Sequence, residues 1–296
     1  MIPGPFAYQR AATVAEALAL LAEHGDEAKL LAGGQSLIPL MRFRLATPAV
    51  LIDINPIAAL RGLRLEDNDL VIGALTREVE LERSPLIRER YPLLADASAV
   101  IADPLVRNLA TVGGNLAHGD PANDHPAAMI ALRATVRIAG TGGERVVPID
   151  GFFLDLFTTA LEPGELLTAI HIPAPPPRSG GAYVKFERKV GDYAVAAAAA
   201  QLTLHEDGTV AQAGLSVTNV APRPFRAAAA EAALVGRSLT EASIRAAAEL
   251  AAAAAEPEGD LRGSADYKRA LTRTMTIRAL RLAATRAGGA ALAGAA

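Results

Sequence analysis

Residues 110–128, ATVGGNLAHGDPANDHPAA, place three glycines, two aspartates and two histidines within nineteen positions. Three chemistries could draw on such a set: metal ligation, acid–base catalysis by paired carboxylates, or a backbone cradle for a phosphate. His118 and His125 lie seven apart with Pro121 between them. Helical zinc-binding pairs more often sit four apart so that both rings share a face, whereas a helix start at Asp120-Pro121 would leave His118 outside the helix and His125 inside it. Asp120-Pro121 reads as a helix start, with aspartate as N-cap and proline at the first helical position. That role takes Asp120 out of a catalytic pair with Asp124. The phosphate cradle is the stronger reading. Gly113-Gly114 follows the strand-like run RNLATV, and glycines let backbone N–H groups approach an anion with no side chain intervening. An earlier stretch repeats the arrangement: KLLA, then Gly33-Gly34-Gln35-Ser36, then the apolar residues of a short helix. Neither matches the common dinucleotide or triphosphate glycine fingerprints. As a pair, about eighty residues apart, they could hold a diphosphate from opposite sides.

Composition narrows the field. The chain has 296 residues, enough for two domains or more, with 21% charged residues and a formal net charge of −3. No basic excess points to nucleic acid or a membrane surface. There is no cysteine, so no disulfide, thiolate-held iron–sulfur cluster or cysteine nucleophile comes from this sequence. The start, MIPGPFAYQR, lacks the basic and apolar regions of a signal peptide. The longest apolar stretch, AVAAAAAQLTL from Ala194, is too short to cross a bilayer. A cytoplasmic setting is the expectation.

The elements that must position the glycine pairs follow from pattern. TVAEALALLAEHG carries Val14, Ala17, Leu18 and Leu21 on one helical stripe, opened by Thr13 and Glu16 and closed by Gly25. Strands are expected at 29–32 and 50–54, so residues 1–55 form a small α/β unit around the first glycine pair. LRLE, a DND turn and LVIGAL read as a hairpin over 63–75. Helices are expected at 77–84, 91–101 and from Pro121 to about Arg133. TVRIAG, ERVVPI and GELLTAIHIP supply strands of a second unit over 56–175. PAPPPRSGG, residues 173–181, is the clearest boundary, since it continues neither a helix nor an interior strand. Beyond it, over 176–296, AYVKFERK, AVAAAAAQLTLHE and AQAGLSVTNVA suggest an antiparallel sheet. Helices follow near 226–235, 240–255 and 265–287. The last carries basic residues at 268, 269, 273, 278, 281 and 286. Its apolar Leu271, Met275, Ile277 and Leu280 argue for docking on the body or a partner rather than for nucleic acid.

These segments carry a family resemblance. AGGQS at 32–36 and TVGGN at 111–115 resemble the two diphosphate-binding segments of the flavoprotein subunits of molybdenum hydroxylases. That group includes carbon monoxide dehydrogenase medium subunits and xanthine dehydrogenase FAD domains. PFAYQRAATVAEALALL, LLAGGQSLIPLMRFRLATPAVLIDI, IGALTREVELERSP, VRNLATVGGNLAHGDPANDHPAA and KFERKVGDYAVAAAA are similar to the family in the same order. The resemblance implies an α+β fold: a two-subdomain FAD-binding module of the PCMH or vanillyl-alcohol-oxidase-like kind, then a C-terminal domain of antiparallel sheet plus helices. It implies FAD as cofactor. The first cofactor segment carries over to Leu30, Leu31, Ala32, Gly33, Gly34, Gln35, Ser36 and Leu37. The second carries over to Thr111, Val112, Gly113, Gly114 and Asn115. Ile101, Asp124, Leu167 and Lys185 occupy further contact positions, and Asp192 and Tyr193 fall beside the flavin ring. Ile101 stands where xanthine dehydrogenases have an aromatic residue, and Gln35 where relatives often have histidine. No residue of this chain is assigned to acid–base catalysis.

The residue chemistry agrees with the resemblance. Main-chain amides with the Ser36 and Thr111 hydroxyls suit a diphosphate, while Asp124 suits a ribityl or ribose hydroxyl as an acceptor. Tyr193 could cover one ring face, or serve as an aromatic at a domain interface. The resemblance further implies partners: an iron–sulfur small subunit with 2Fe-2S clusters and a large subunit with the molybdenum cofactor, as a dimer of heterotrimers. In that assembly this chain takes electrons singly and releases them to a quinone, oxygen or NAD. Any membrane contact would come through partners. A stand-alone FAD-dependent oxidoreductase of the same superfamily is the alternative, and a non-redox nucleotide-binding or scaffold protein is a third.

Overall fold

Strand β1 (Ala7–Arg10) opens the chain, and nothing in its pattern announces a strand, since it is half-exposed and only four residues long. The computed structural model describes residues 2–288. Helix α1 (Val14–His24) begins as its cap predicts: Thr13 Oγ1 accepts from Glu16 N, and the Glu16 carboxylate reaches back to Ala12 N at 2.7 Å. Strand β2 (Ala28–Leu31), helix α2 (Leu37–Arg42) and strand β3 (Val50–Asp53) complete a parallel sheet in the order β1-β3-β2. The first glycine pair lies between β2 and α2, at the carboxyl end of a strand, where open α/β units take ligands.

The second unit is built on an antiparallel sheet of order β4-β5-β10-β6-β7. Its strands are β4 (Leu63–Glu66), β5 (Asp69–Gly73), β6 (Thr135–Gly140), β7 (Gly143–Pro148) and β10 (Leu166–Ile172). Asp67 and Asn68 both take positive φ, the conformation that a two-residue hairpin turn requires between β4 and β5. Between β5 and β6 run α3 (Glu78–Arg83), α4 (Pro85–Arg90), α5 (Pro92–Ala99), α6 (Pro104–Arg107), α7 (Val112–His118) and α8 (Asp124–Ala131). A small hairpin of β8 (Phe153–Asp155) and β9 (Thr158–Thr159) precedes β10.

Two expectations fail here. RNLATV is not a strand: Asp103 caps a helical turn by accepting from Val106 N at 2.9 Å, and this turn consumes Arg107. Only Thr111 pairs strand-fashion, in an isolated bridge to Arg77, so Gly113-Gly114 fall in the first turn of α7 and not after a strand. Asp120 is not a helix cap either. Its Oδ1 accepts from Ala122 N in a local turn, and α8 starts at Asp124 behind Asn123. The carbonyls of Pro121 and Asn123 accept from the Thr218 hydroxyl, and Pro121 O also from Asn219 N, which holds this segment out of the helix.

The third unit pairs β11 (Ser179–Phe186), β12 (Ala196–Leu204), β13 (Val210–Thr218) and β14 (Phe225–Arg226) in an antiparallel sheet. Helices α9 (Ala228–Leu234), α10 (Glu241–Ala253) and α11 (Ala265–Arg286) follow. The buried face of α11 includes Leu271, Met275, Ala279, Leu280 and Ala283. Its basic residues pair with the body: Lys268 with Asp260, Arg273 with Glu249, Arg281 with Glu241 and Arg286 with Asp96. Among the described residues no helix is long and apolar enough to cross a membrane.

Candidate functional site: an amide-lined cleft

A cleft of about 650 Å³ opens between the first and second units, with residues 191–193 of the third at one end. Its volume lies within the roughly 300–1,000 Å³ typical of cofactor sites. Of the residues expected at the cofactor, all but Leu31, Val112 and Lys185 line it. Val112 is fully buried in the core of the second unit. Lys185 stands behind the wall: its Nζ lies 3.1 Å from Asp124 Oδ2, 3.3 Å from Glu187 and 3.0 Å from the Val100 carbonyl.

The two glycine segments contribute differently. The amides of Gly33, Gly34, Gln35, Ser36 and Leu37 donate to no protein acceptor among the described residues. Gly34 holds φ +72°, a conformation glycine adopts at no steric cost, and Gln35 Nε2 donates to Gly33 O at 3.1 Å to close the loop. Five consecutive unpaired N–H groups on residues that line the cleft are a donor set for an anion. In the second segment the amides are engaged. Val112 N donates to Thr76 O, Gly113 N to Ala74 O, Gly114 N to Thr111 Oγ1 and Asn115 N to Thr111 O. The second pair therefore serves close approach: a Cβ on Gly113 would lie 2.6–2.8 Å from Ala74 atoms. What this segment offers the cleft is side chains. Asn115 lines it with Oδ1 buried and without a partner.

Asp124 forms the floor, with Oδ1 accepting from the Tyr183 hydroxyl at 2.6 Å and Oδ2 from Lys185. Burial pushes its carboxyl above the ordinary range, opposed by the Lys185 ammonium and the Tyr183 hydrogen bond. Its two oxygens retain acceptor capacity for a ligand hydroxyl. Ile101 and Leu167 give the cleft apolar walls. Asp192 and Tyr193 lie on the 187–193 loop, where Arg262 Nη2 reaches Asp192 Oδ1 at 3.3 Å. A Cβ on Gly191 would lie 2.8 Å from Ala102 O, so this loop sits directly on the Ile101 segment.

Sequence reasoning missed His118 and Glu165 in the cleft wall. His118 packs at 5.2 Å against Phe157 at the tip of the β8–β9 hairpin, and burial pulls its imidazole below its usual value against the pull of Asp120. His125 turns away into the core, where its Nε2 lies 2.5 Å from Glu78 Oε2 with both side chains fully buried. Among the described residues no cluster of His, Cys, Asp or Glu could hold a metal.

The lining fits FAD: unpaired amide donors for a diphosphate, an unpartnered Asn115 carbonyl and a carboxylate as acceptors for hydroxyls, and an apolar pocket for a ring. An α/β unit and an antiparallel unit meeting at such a cleft, with a sheet-and-helix unit at its end, define a flavoprotein cofactor module. Residues 4–175 match the family described as "FAD binding domain in molybdopterin dehydrogenase", and residues 181–283 match "CO dehydrogenase flavoprotein C-terminal domain". The chain belongs to this family, the FAD-binding medium subunits of molybdenum hydroxylases, and is an oxidoreductase component with FAD as its cofactor.

Similarity extends over the full length. The chain is 48% identical to the carbon monoxide dehydrogenase medium chain of Hydrogenophaga pseudoflava, covering 96% of this chain and 98% of that one. It is 40% identical to the 6-hydroxypseudooxynicotine dehydrogenase complex subunit alpha of Paenarthrobacter nicotinovorans, with 97% of each covered. Among solved structures it superposes with a TM-score of 0.95 on Hydrogenophaga pseudoflava carbon monoxide dehydrogenase lacking the Mo-pyranopterin moiety. That match has 50% identity and covers 97% of this chain and 99% of the other.

Proposed function

We propose that this chain is the electron-transferring subunit of a heteromeric, cytoplasmic molybdenum hydroxylase. It receives electrons from a 2Fe-2S small subunit, supplied in turn by a large subunit with the molybdenum cofactor, and passes them to an external acceptor. The observation that carries this is the near-complete mutual coverage with medium chains of multi-subunit dehydrogenases, by a chain without a single cysteine to hold a cluster. A dimer of heterotrimers is the assembly proposed.

Bound FAD supplies two-electron and one-electron redox chemistry, and the protein's task is to hold and orient it. The amides of Gly33 to Leu37 would receive the diphosphate, joined by the Ser36 and Thr111 hydroxyls, while the Asn115 side-chain carbonyl would accept from a cofactor hydroxyl. Asp124 would accept from a ribityl or ribose hydroxyl, and Lys185 acts behind it by fixing that carboxyl in place and opposing the effect of its burial. Ile101, Leu167 and Tyr193 exclude water from the ring, with Asp192 fixing the Tyr193 loop. We take residues 1–175 as the cofactor module, divided at 55/56, and 176–296 as the C-terminal domain. Substrate choice belongs to the large subunit, so the same chain type serves relatives named for carbon monoxide and for 6-hydroxypseudooxynicotine.

The test is native purification followed by mass spectrometry and metal analysis. A yellow complex with iron, molybdenum and two further polypeptides is expected. A lone yellow chain that turns over a substrate unaided would overturn this reading in favour of a stand-alone FAD oxidoreductase.

A further inference from the structure

Asn55 and Arg77 carry polar contacts that the cleft itself does not explain. Neither lines the cleft, yet Asn55 bonds to the first segment that does and Arg77 to the Leu109 carbonyl, two residues before the second. Asn55 follows β3, and its backbone N and Nδ2 both donate to Asp53 Oδ1, at 2.9 and 2.7 Å. Asn55 Nδ2 also donates to the Ala32 carbonyl at 2.8 Å. Arg77 Nη2 donates to Asn55 Oδ1 at 2.7 Å, and its Nη1 donates to the Leu109 carbonyl. Arg61 Nη2 adds a bond to Asn55 O at 2.6 Å. Beside this bridge, a Cβ on Gly33 would lie 2.4 Å from Leu109 O, so the two segments touch.

We propose that Asn55 and Arg77 form a brace that aims the first segment's amides into the cleft and fixes its distance from the second. The proposal rests on the assignment of those segments to the FAD diphosphate. The physical basis is the planarity of the peptide group, whose C=O and N–H point in opposite directions. With Ala32 O held by Asn55 outside the cleft, the N–H of Gly33 must point the other way. Gln35 Nε2 on Gly33 O fixes the next peptide plane, and with it the direction of the Gly34 N–H. Arg77 sets the spacing, because its planar fork spans Asn55 Oδ1 and Leu109 O at once, which a lysine ammonium cannot do with fixed geometry. Backbone pairing supports that placement: Glu78 N donates to Ala110 O at 3.1 Å and Val112 N to Thr76 O at 3.0 Å. Both are positioning residues, acting on the cofactor through backbone groups.

The experiment uses the full-length protein with the subunits that accompany it. It compares Asn55→Ala, Arg77→Lys and the double variant with Gly114→Val as a reference. FAD release is followed by the fluorescence of liberated flavin, and urea midpoints are measured on the FAD-stripped protein. Each single variant should release FAD about ten-fold faster or more, as expected for losing one charged or buried hydrogen bond. The double variant should release it no faster than the worse single, because both side chains act through one bridge. Multiplied effects would overturn the brace, and so would singles that release FAD at the wild-type rate while Gly114→Val does not. A lowered urea midpoint with unchanged release means a structural role only, and also overturns it. Full FAD retention by Gly114→Val would instead overturn the diphosphate assignment. If Asn55→Ala fails to assemble, Asn55→Asp replaces it: this variant keeps an acceptor for Arg77, loses the donor to Ala32 O, and should show the same faster release.

Discussion

At Gly114 an added side chain would meet the Thr111 hydroxyl at 2.7 Å and face Ala32 across the gap between the two glycine segments. Gly114→Val should therefore displace the α7 cap and fill that gap. The expected outcome is loss of bound FAD with the C-terminal unit still folded, checked by flavin absorbance and circular dichroism. A fully yellow variant would contradict the site. Glycine pairs of this kind were legible in the sequence as residue types, although the atoms that leave no room for a Cβ, Leu109 at Gly33 and Ala74 at Gly113, lie far away along the chain. Their division of labour was not legible: which amides are already paired depends on Thr76 and Ala74, more than thirty positions away. Asp124 was legible as an acceptor, but its burial against Lys185 and Tyr183 is set by strand β11, some sixty residues on. Lys185 accordingly is a buried ion-pair partner of Asp124.

Among the elements, β12 breaks the usual preference of strands for branched and aromatic residues. Its five leading alanines are buried because helices pack closely on both faces of the third sheet, α11 on one and α5 with α8 on the other. Glycines on the neighbouring strands mark the same tight layers, and at Gly214 a Cβ would lie 2.0 Å from Ala131 O. Gly214→Ala should destabilise the fold by about 2–3 kcal/mol through overpacking against α8, read as a lower urea midpoint. The helix expected from Pro121 is present but starts three residues later, at Asp124, because Thr218 and Asn219 of the third unit bind the carbonyls its first turn would need. A different tie closes the second sheet, where Arg145 grips Glu165 through two bonds of 2.7 and 2.6 Å. The Arg145 guanidinium holds the Glu165 carboxyl below its ordinary value. A lowered folded-state pKa stabilises above the unfolded value, about pH 4.3, and that benefit is lost as pH falls through the folded one. Arg145→Met should thus be less stable than wild type at pH 7, with the gap narrowing at pH 3 in paired urea titrations.

For the molecule as a whole, the described residues bury three apolar cores, and these do not all keep within the boundaries of the three units expected from pattern. The core of the first unit is completed by Leu75 and Leu166 from the second. The second and third are joined by Arg286 on Asp96 and Arg133 on Glu231. Long-range ties of this kind leave no periodic trace, which is why the fold class could be read while the joints could not. The cleft draws its wall from all three units, so FAD binding should stabilise the protein as a body by mass action. One consequence lies in the five amides from Gly33 to Leu37. With no acceptor among the described residues, they should swap their protons for solvent deuterons rapidly when the cleft holds no cofactor. The engaged amides of Val112 to Asn115 should swap slowly in either state. Cofactor binding should slow the first group by orders of magnitude and leave the second nearly unchanged, which peptide mass spectrometry resolves. Equal rates in the first group with and without FAD would refute this. That short stretch then acts as an internal gauge, counting filled and empty molecules in a mixed preparation without recourse to colour or turnover.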